Sequence, residues 1–497
     1  MTERLGSATL QIAKARHPRF DRAKLQPGIV HIGLGAFYRA HGIVYNDDAI
    51  ESDPAMHNGW GVIGVSLRSP SQRDKLAPQD GLYTTVERSA SGDKPRIMGS
   101  LLQSIVAPED PKGLVEILAN PDIRIVTITV TEKGYCHDPA TGRLNPAHPD
   151  IVHDLEHPES PVSLPGFLVA ALALHKERGI APFTVISCDN LPSNGKLLRG
   201  LIRDFAALRE DRLAAWIESN VAFPSTMVDR IVPASTEDDL RLTQGLIGLG
   251  DLAPVIHEPF RQWVIEDVFG ATERPAWERA GAQFVADVEP FELMKLRMLN
   301  GTHSSLAYLG FLSGYETISQ TVADPVFRDF LAGLWHEEII PTVPAPAGTD
   351  LAAYADQLLD RYANPAISHR TAQIAMDGSQ KLPQRLLGTI RDRLKAGEPW
   401  DRLALAVAAF IFYTAGTDER GRPIDVRDPL ADQLKAGGKV DPAAHLRRVL
   451  SIESIFGADL GRDERFFNTI EAAYLSLLSG GAHAALSAIN QTAKQEQ

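Results

Sequence analysis

The stretch GIVHIGLGAFYRAHG, residues 28–42, changes the texture of the chain abruptly. The polar, mixed residues 1–26 before it suit a helix or an arm on the surface. Ile29–Ile32 is a short apolar run of buried-strand type, Gly33 and Gly35 make a turn, and a helix is expected to follow. Strand, glycine turn and helix open a nucleotide-binding βα unit. The glycines let the backbone approach a pyrophosphate, and the helix N-terminus offers unpaired N–H groups and a positive dipole end. The match is incomplete, because Phe37 and Tyr38 follow and the third fingerprint glycine is absent. Arg39 and His41 could touch phosphate or cap the surface of the helix.

Working outward, Trp60–Leu67 reads as a second strand. A dinucleotide site usually ends this strand with an acid that binds the ribose diol. Here Arg68, Ser69, Pro70 and Ser71 follow, and no acid appears before Asp74. That leaves NADP open beside NAD. Leu82–Val86 and Arg96–Met98 are short strand-like pieces of a small antiparallel addition, and Pro111–Leu118 is a helix. Ile123–Val130 is a nearly continuous β-branched run, the pattern of a strand buried on both faces of a parallel sheet. The turn residues Gly33, Gly35, Ala36 and Phe37, with Arg68, Thr129 and Thr131 at strand ends, are the cofactor candidates. Residues 139–161 read as a long loop, Gly166–Arg178 as a helix, and Phe183–Ser187 as a strand ending in Cys188, Asp189 and Asn190. Asn190 could face a substrate or cap a turn. Asp229 and Arg230, set among apolar residues, suggest a buried ion pair or a polar wall. The order of elements predicts an α/β class: a Rossmann-like doubly wound sheet domain over 1–285 and an all-α domain over 286–497.

The second half is expected to be helical at 291–312, 324–338, 351–361, 366–377, 384–395, 401–415, 443–454 and 465–491. Its first helix, FELMKLRMLNGTHSSL at 291–306, carries Lys295, Asn300 and His303 in a run of Leu and Met. On an α-helix they fall at about 0°, 140° and 80°, a broad face that a bend at Gly301 could narrow. Desolvation favours the neutral form of such a lysine, and a neutral amine can take a proton from an alcohol. Asn and His can hold the oxygen that becomes a carbonyl. The plain alternative is a helix with a wet polar face.

The chain has 497 residues and a formal net charge of −13, with 44% hydrophobic and 23% charged residues. An acidic chain without basic clusters is not expected to bind nucleic acid or a membrane surface. Two cysteines, Cys136 and Cys188, cannot make a disulfide framework or a cysteine-based zinc site. No signal-peptide pattern opens the chain, and no apolar run approaches about 18 residues. A soluble cytoplasmic protein without metal is the expectation.

Several stretches together resemble the mannitol dehydrogenase family, the long-chain polyol-specific dehydrogenases. They are GLGAFYRAH at 33–41, TVTEKGYC at 129–136, SCDN at 187–190, PSTMVDRIVP at 224–233, EPFRQWVIED at 258–267 and MKLRMLNGTHSSLAYLG at 294–310. The resemblance covers nearly the whole chain. It implies metal-free, reversible hydride transfer between nicotinamide and a secondary alcohol. The family pattern K-x-x-x-x-N-x-x-H falls on Lys295, Asn300 and His303. By resemblance Lys295 is the acid/base, Asn300 and Asn190 polarise the reacting oxygen, and His303 binds a substrate hydroxyl. Asp229 and Lys381 fall on substrate-site positions.

The departures narrow the substrate. Tyr38 replaces the family's turn histidine, Pro70 and Ser71 stand where mannitol dehydrogenases carry an acidic pair, and Gln373 replaces a sugar-binding arginine. The stretch SHRTAQIAMDGSQKLPQR at 368–385 looks more like the fructuronate reductases. The expectation is a sugar acid, D-mannonate with D-fructuronate, whose carboxylate Arg370 and Lys381 would clamp. Mannitol with fructose, or a related polyol such as arabinitol or sorbitol, is the alternative, and NAD the expected cofactor. A nucleotide-binding sensor on the same fold would not need the Lys295 set. A zinc alcohol dehydrogenase would need ligand spacings that the chain lacks.

Overall fold

The computed structural model describes residues 2–138, 141–270, 272–367, 369–436 and 441–495, with side chains to residue 492. The chain divides into two compact units, Met1–Glu289 and Pro290–Gln497.

A parallel sheet forms the centre of the first unit. Its strands are β1 (Pro27–Ile32), β2 (Gly61–Ser66), β3 (Leu101–Val106), β4 (Ile125–Ile128) and β5 (Thr184–Ser187), in the spatial order β3-β2-β1-β4-β5. This is the order of a doubly wound nucleotide-binding sheet less its sixth strand. β4 and β5 are buried along their whole length, and β1 everywhere except Pro27, as their apolar runs require. Ile29 pairs with Val62 on one side and Ile125 on the other, so β1 is the middle strand. The helices Pro111–Leu118, Leu164–Arg178 and Asn194–Arg209 supply Leu114, Phe167, Leu168 and Leu198 to one apolar core against the sheet. Tyr83–Ser89 and Gly92–Met98 form the expected antiparallel pair, joined by Val255–His257.

Two parts of this unit differ from expectation. Leu101–Val106 was not anticipated as a strand: it is the sheet edge, its middle is half exposed, and Gln103 and Ser104 interrupt the apolar run. The region expected to be a loop over 139–161 begins at two residues outside the described ones. It then holds the strand Arg143–Leu144, paired with His137–Asp138 just before the region, and the helix Pro149–Glu156. The N-terminal residues are an arm with two short 3-10 turns, pinned where Leu5 and Ala13 join Leu82, Ile97, Ile247 and Leu249.

The second unit is built of helices. Asp401–Thr414 is buried at nearly every position, against Thr302–Leu312 and the long helix Glu464–Gln495. That last helix is apolar and long enough to cross a membrane by composition, with mean hydropathy 1.3 in its most apolar window, but its backbone breaks at Gly481 (φ 78°). The helix expected over 366–377 is a correction. Ser368 lies outside the described residues, His369 and Arg370 are extended, Arg370 bridges to Thr317, and only Thr371–Ile374 is helical before a turn.

Candidate active site

In the first unit a cavity of about 570 Å3 opens at the C-terminal ends of β1, β2 and β4, between the strands where the chain order reverses. Gly33, Gly35, Arg68, Thr129 and Thr131 line it. Gly33 has φ +98°, and a Cβ there would lie 1.9 Å from the Thr129 carbonyl oxygen, so only glycine lets the turn close against β4. Beneath the turn, His31 donates from Nε2 to the Gly33 carbonyl (3.1 Å) and meets the Thr127 hydroxyl at Nδ1 (2.9 Å). Burial lowers His31 to about 3, so the ring is neutral. Tyr38 stacks on it at 3.3 Å.

Four turn residues are placed elsewhere. Ala36 and Phe37 pack against the core beside β1 and are not among the residues lining the cavity. Arg39 is buried and donates to the Ala253 carbonyl (2.6 Å), and His41 bonds the Gln262 carbonyl (2.9 Å). Both brace the unit rather than meet phosphate.

An acid does reach this cavity, from outside β2. Asp150, on the helix Pro149–Glu156, lines it and accepts from Arg68 at 2.6 Å. The signal was present as a proline at the first helical position with apolar Ile151 and Leu155 four apart, but the surrounding Pro, His and Asp read as loop. Cys136, His148 and Asp150 also bring one ligand atom each to within 4.8 Å of one another, a grouping their spacing did not suggest. Burial raises the Cys136 thiol to about 12, which holds it protonated.

Asn190 is exposed, just beyond β5, on a turn held from both sides. Asp189 accepts from the Val130 amide (3.1 Å) and the Tyr135 hydroxyl (2.6 Å), and burial pushes it up to about 7. Asn194 donates to the carbonyls of Asp189 and Thr226, both at 3.0 Å. Asp229 ends the strand Thr226–Asp229 and is buried. Arg230 gives its protons to the carbonyls of Ala40, Phe260 and Pro259.

In the second unit the helix Glu289–Met294 runs into a π-helical turn, Lys295–Gly301, and then the helix Thr302–Leu312. The π turn changes the geometry expected for a regular helix. It takes up one extra residue, so Asn300 and His303 stand about 40° and −20° from Lys295 and the three fall on one narrow stripe. Two carbonyls of the turn are claimed by distant side chains. Met298 O accepts from Trp335 Nε1 (3.0 Å) and Thr302 Oγ1 (2.5 Å), and Leu299 O from the Tyr362 hydroxyl (2.8 Å). Gly301 does not bend the helix. A Cβ there would lie 2.7 Å from the Arg385 carbonyl oxygen, so the glycine admits a second π turn, Pro383–Leu387, at close range.

Lys295 is buried, with 7% of its surface exposed. The His303 ring packs against Tyr362 (5.4 Å) and His369 (4.8 Å). Its Nε2 is buried without a hydrogen-bond partner among the described residues. Burial, then the neighbouring His369, Arg385, Arg361 and Lys381, hold its pKa well below the usual range, so the ring is neutral. Lys381 is half-buried and donates to the Met376 carbonyl (2.5 Å), with its pKa lowered by burial and by Arg385.

Arg370 is exposed and precedes the short helix instead of lying on it. Successive side chains of an extended segment point to opposite sides. His369 is the residue turned to His303. Arg385, absent from the sequence-based candidates, stands near His303 in its place.

An amine, an amide and an imidazole along one helical stripe, in a chain whose other unit has the strand order of a doubly wound sheet with a cavity at its switch point, suit a dehydrogenase. The family descriptions that match are "Mannitol dehydrogenase Rossmann domain" over residues 27–279 and "Mannitol dehydrogenase C-terminal domain" over 287–478. The chain belongs to the mannitol dehydrogenase family and is an oxidoreductase. It is 46% identical to D-mannonate oxidoreductase of Escherichia coli (strain K12), over 95% of this chain and 97% of that protein. It is 39% identical to mannitol 2-dehydrogenase of Aspergillus fumigatus, over 94% of each. The structure of Pseudomonas fluorescens mannitol 2-dehydrogenase, a ternary complex with NAD and D-mannitol, superposes with a TM-score of 0.89 at 38% identity, covering 98% of this chain and 99% of that one.

Proposed function

We propose that the chain is a metal-independent, NAD-dependent dehydrogenase acting on the secondary alcohol of a sugar acid, with D-mannonate and D-fructuronate as the leading pair. The observation that carries the chemistry is the π turn that sets Lys295, Asn300 and His303 in one stripe. A nicotinamide cofactor bound in the glycine-turn cavity would supply or accept the hydride, and the lining fits it: glycines at 33 and 35 in the turn, and strand ends converging at the switch point. In oxidation Lys295 takes the hydroxyl proton, and in reduction it returns it to the carbonyl oxygen. Asn300 and Asn190 donate to that oxygen as charge develops on it, and neutral amide donors fixed beforehand favour the alkoxide-like state. His303 Nε2 holds a substrate hydroxyl, and Asp229 and Lys381 complete the substrate contacts. In this reading residues 1–285 hold the cofactor and add Asn190 and Asp229 to the substrate contacts, and 286–497 carry the rest.

The sugar-acid reading is supported by the stretch 368–385 and by the similarity to D-mannonate oxidoreductase. The mannitol 2-dehydrogenase relatives keep mannitol with fructose, or another polyol, as the second reading. Initial rates on D-mannonate, D-mannitol, D-arabinitol and D-sorbitol with each cofactor, before and after dialysis against a chelator, test it. D-mannonate with NAD should give the highest kcat/KM and survive the chelator. A preference for mannitol installs the second reading, and activity lost to EDTA and restored by zinc overturns metal independence. The net acidic charge and two unpaired, buried cysteines suit a reducing cytoplasm, where we place the enzyme.

Cofactor choice rests on the Arg68–Asp150 pair. Arg68, which lines this cavity with Lys133, has the guanidinium suited to a 2′-phosphate, and Asp150 pairs with it. Asp150→Asn should shift the ratio of kcat/KM toward NADP by about tenfold, a modest change because the pair is partly solvated. A ratio that does not move removes Asp150 from cofactor selection.

A further inference from the structure

The two π turns packed at Gly301 bring one more cation to the substrate-facing stripe. Arg385 lies on the second turn, Pro383–Leu387, and its Nη1 donates to Ser304 Oγ at 3.0 Å. Ser304 is the residue after His303. That is the only side-chain hydrogen bond of this guanidinium among the described residues, and no carboxylate lies within ion-pair reach of it there. Most of the chain's arginines do otherwise: Arg297, Arg391, Arg402 and Arg422 each meet an acid of the same unit. Burial pushes the Arg385 pKa down, and the groups that counter it are the phenols Tyr308 and Tyr362. A partly buried arginine without an ion-pair partner, with four of its five N–H protons uncommitted to any acceptor among the described residues, can take an anion. The adjacent His303 Nε2 has the same deficit. Arg385, Arg361 and Lys381 lie close enough to His303 to disfavour its charged form.

We propose that Arg385 recognises the substrate's carboxylate, beside the hydroxyl held by His303 Nε2. The proposal rests on the sugar-acid reading above and moves the recognition point from the exposed Arg370 to a residue of the second π turn. A planar guanidinium held by Ser304 at one nitrogen keeps its remaining edge for the two oxygens of a carboxylate. A neutral hexitol has no charged group to pair with it, so the same residue selects acid over polyol by leaving a partly buried cation unpaired when the wrong substrate enters.

The test compares wild type, Arg385→Gln, Arg385→Lys and Arg370→Gln in NADH-dependent reduction of D-fructuronate and D-fructose. Arg385→Gln should lower the ratio of kcat/KM for fructuronate over fructose by about ten- to hundredfold, mainly through KM, because a charge-assisted contact is lost only for the acid. KM for NADH should stay within about twofold of wild type, since proton transfer and cofactor binding belong to other residues. Arg385→Lys should recover part of the ratio by restoring the charge without the fork. Arg370→Gln should leave the ratio near wild type. Titration of D-mannonate into the NADH complex, an unreactive pair, should show the same weakening without turnover. If Arg385→Gln loses equally on both substrates, or keeps its wild-type ratio, Arg385 only braces Ser304 and the proposal falls while the sugar-acid reading stands. If the wild type reduces fructose in preference to fructuronate, the sugar-acid reading falls and the proposal with it.

Discussion

Lys295→Ala lowers kcat by at least about a hundredfold while NADH still binds, since positioned proton transfer is worth that much or more. Lys295 is buried at the first position of the π turn, where Asn300 and His303 share its stripe. Of the three, Lys295 carries the amine that a proton exchange with the alcohol would use. Asn300 has no titrating group, and the His303 pKa is held well below its usual range by burial and by neighbouring cations. The loss should therefore appear in kcat and in kcat/KM alike, the mark of an interaction made in the transition state. The glycine-turn cavity is lined by residues of the first unit, so NADH fluorescence titration should give a dissociation constant near that of wild type. A folded Lys295→Ala enzyme with near-normal turnover would remove Lys295 from the acid/base role.

Gly33→Ala weakens cofactor binding by about a hundredfold and destabilises the first unit by about 2 kcal/mol or more. Two costs add. The residue holds φ +98°, which a side chain resists, and the new Cβ would stand 1.9 Å from the Thr129 carbonyl oxygen. The obstacle is backbone, so no rotamer change relieves it. The turn must move away from β4, and both line the cavity. The His31 bond to the Gly33 carbonyl is then stretched as well, leaving a buried polar group poorly satisfied. Calorimetric titration with NADH and thermal unfolding check this. Wild-type affinity together with an unchanged Tm would show that the turn is looser than its contacts imply.

Local pattern alone pointed to the parallel sheet of the first unit and to candidate residue types for a site. Strands buried on both faces must be apolar throughout, so β1, β4 and β5 announce themselves, and a turn that brings backbone near a ligand must use glycine. The edge strand β3 escaped because one of its faces is partly wet, so no continuous apolar run marks it. The helix carrying Asp150 escaped because its proline and histidines are equally good loop residues.

What only the tertiary structure decided is how the site residues are aimed. A regular helix would spread Lys295, His303 and Asn300 over about 140°, and the π turn gathers them into one stripe. That turn depends on Trp335 and Tyr362 taking up the carbonyls of Met298 and Leu299, partners 37 and 63 residues away that no sequence period can reveal. The same holds for the cation near His303. Helical spacing pointed to Arg370, but an extended segment alternates its side chains, so His369 turns inward and Arg370 faces solvent. Arg385 comes near His303 because Gly301 lets two π turns meet at backbone distance, a contact between residues 84 apart in number that neither local pattern contains.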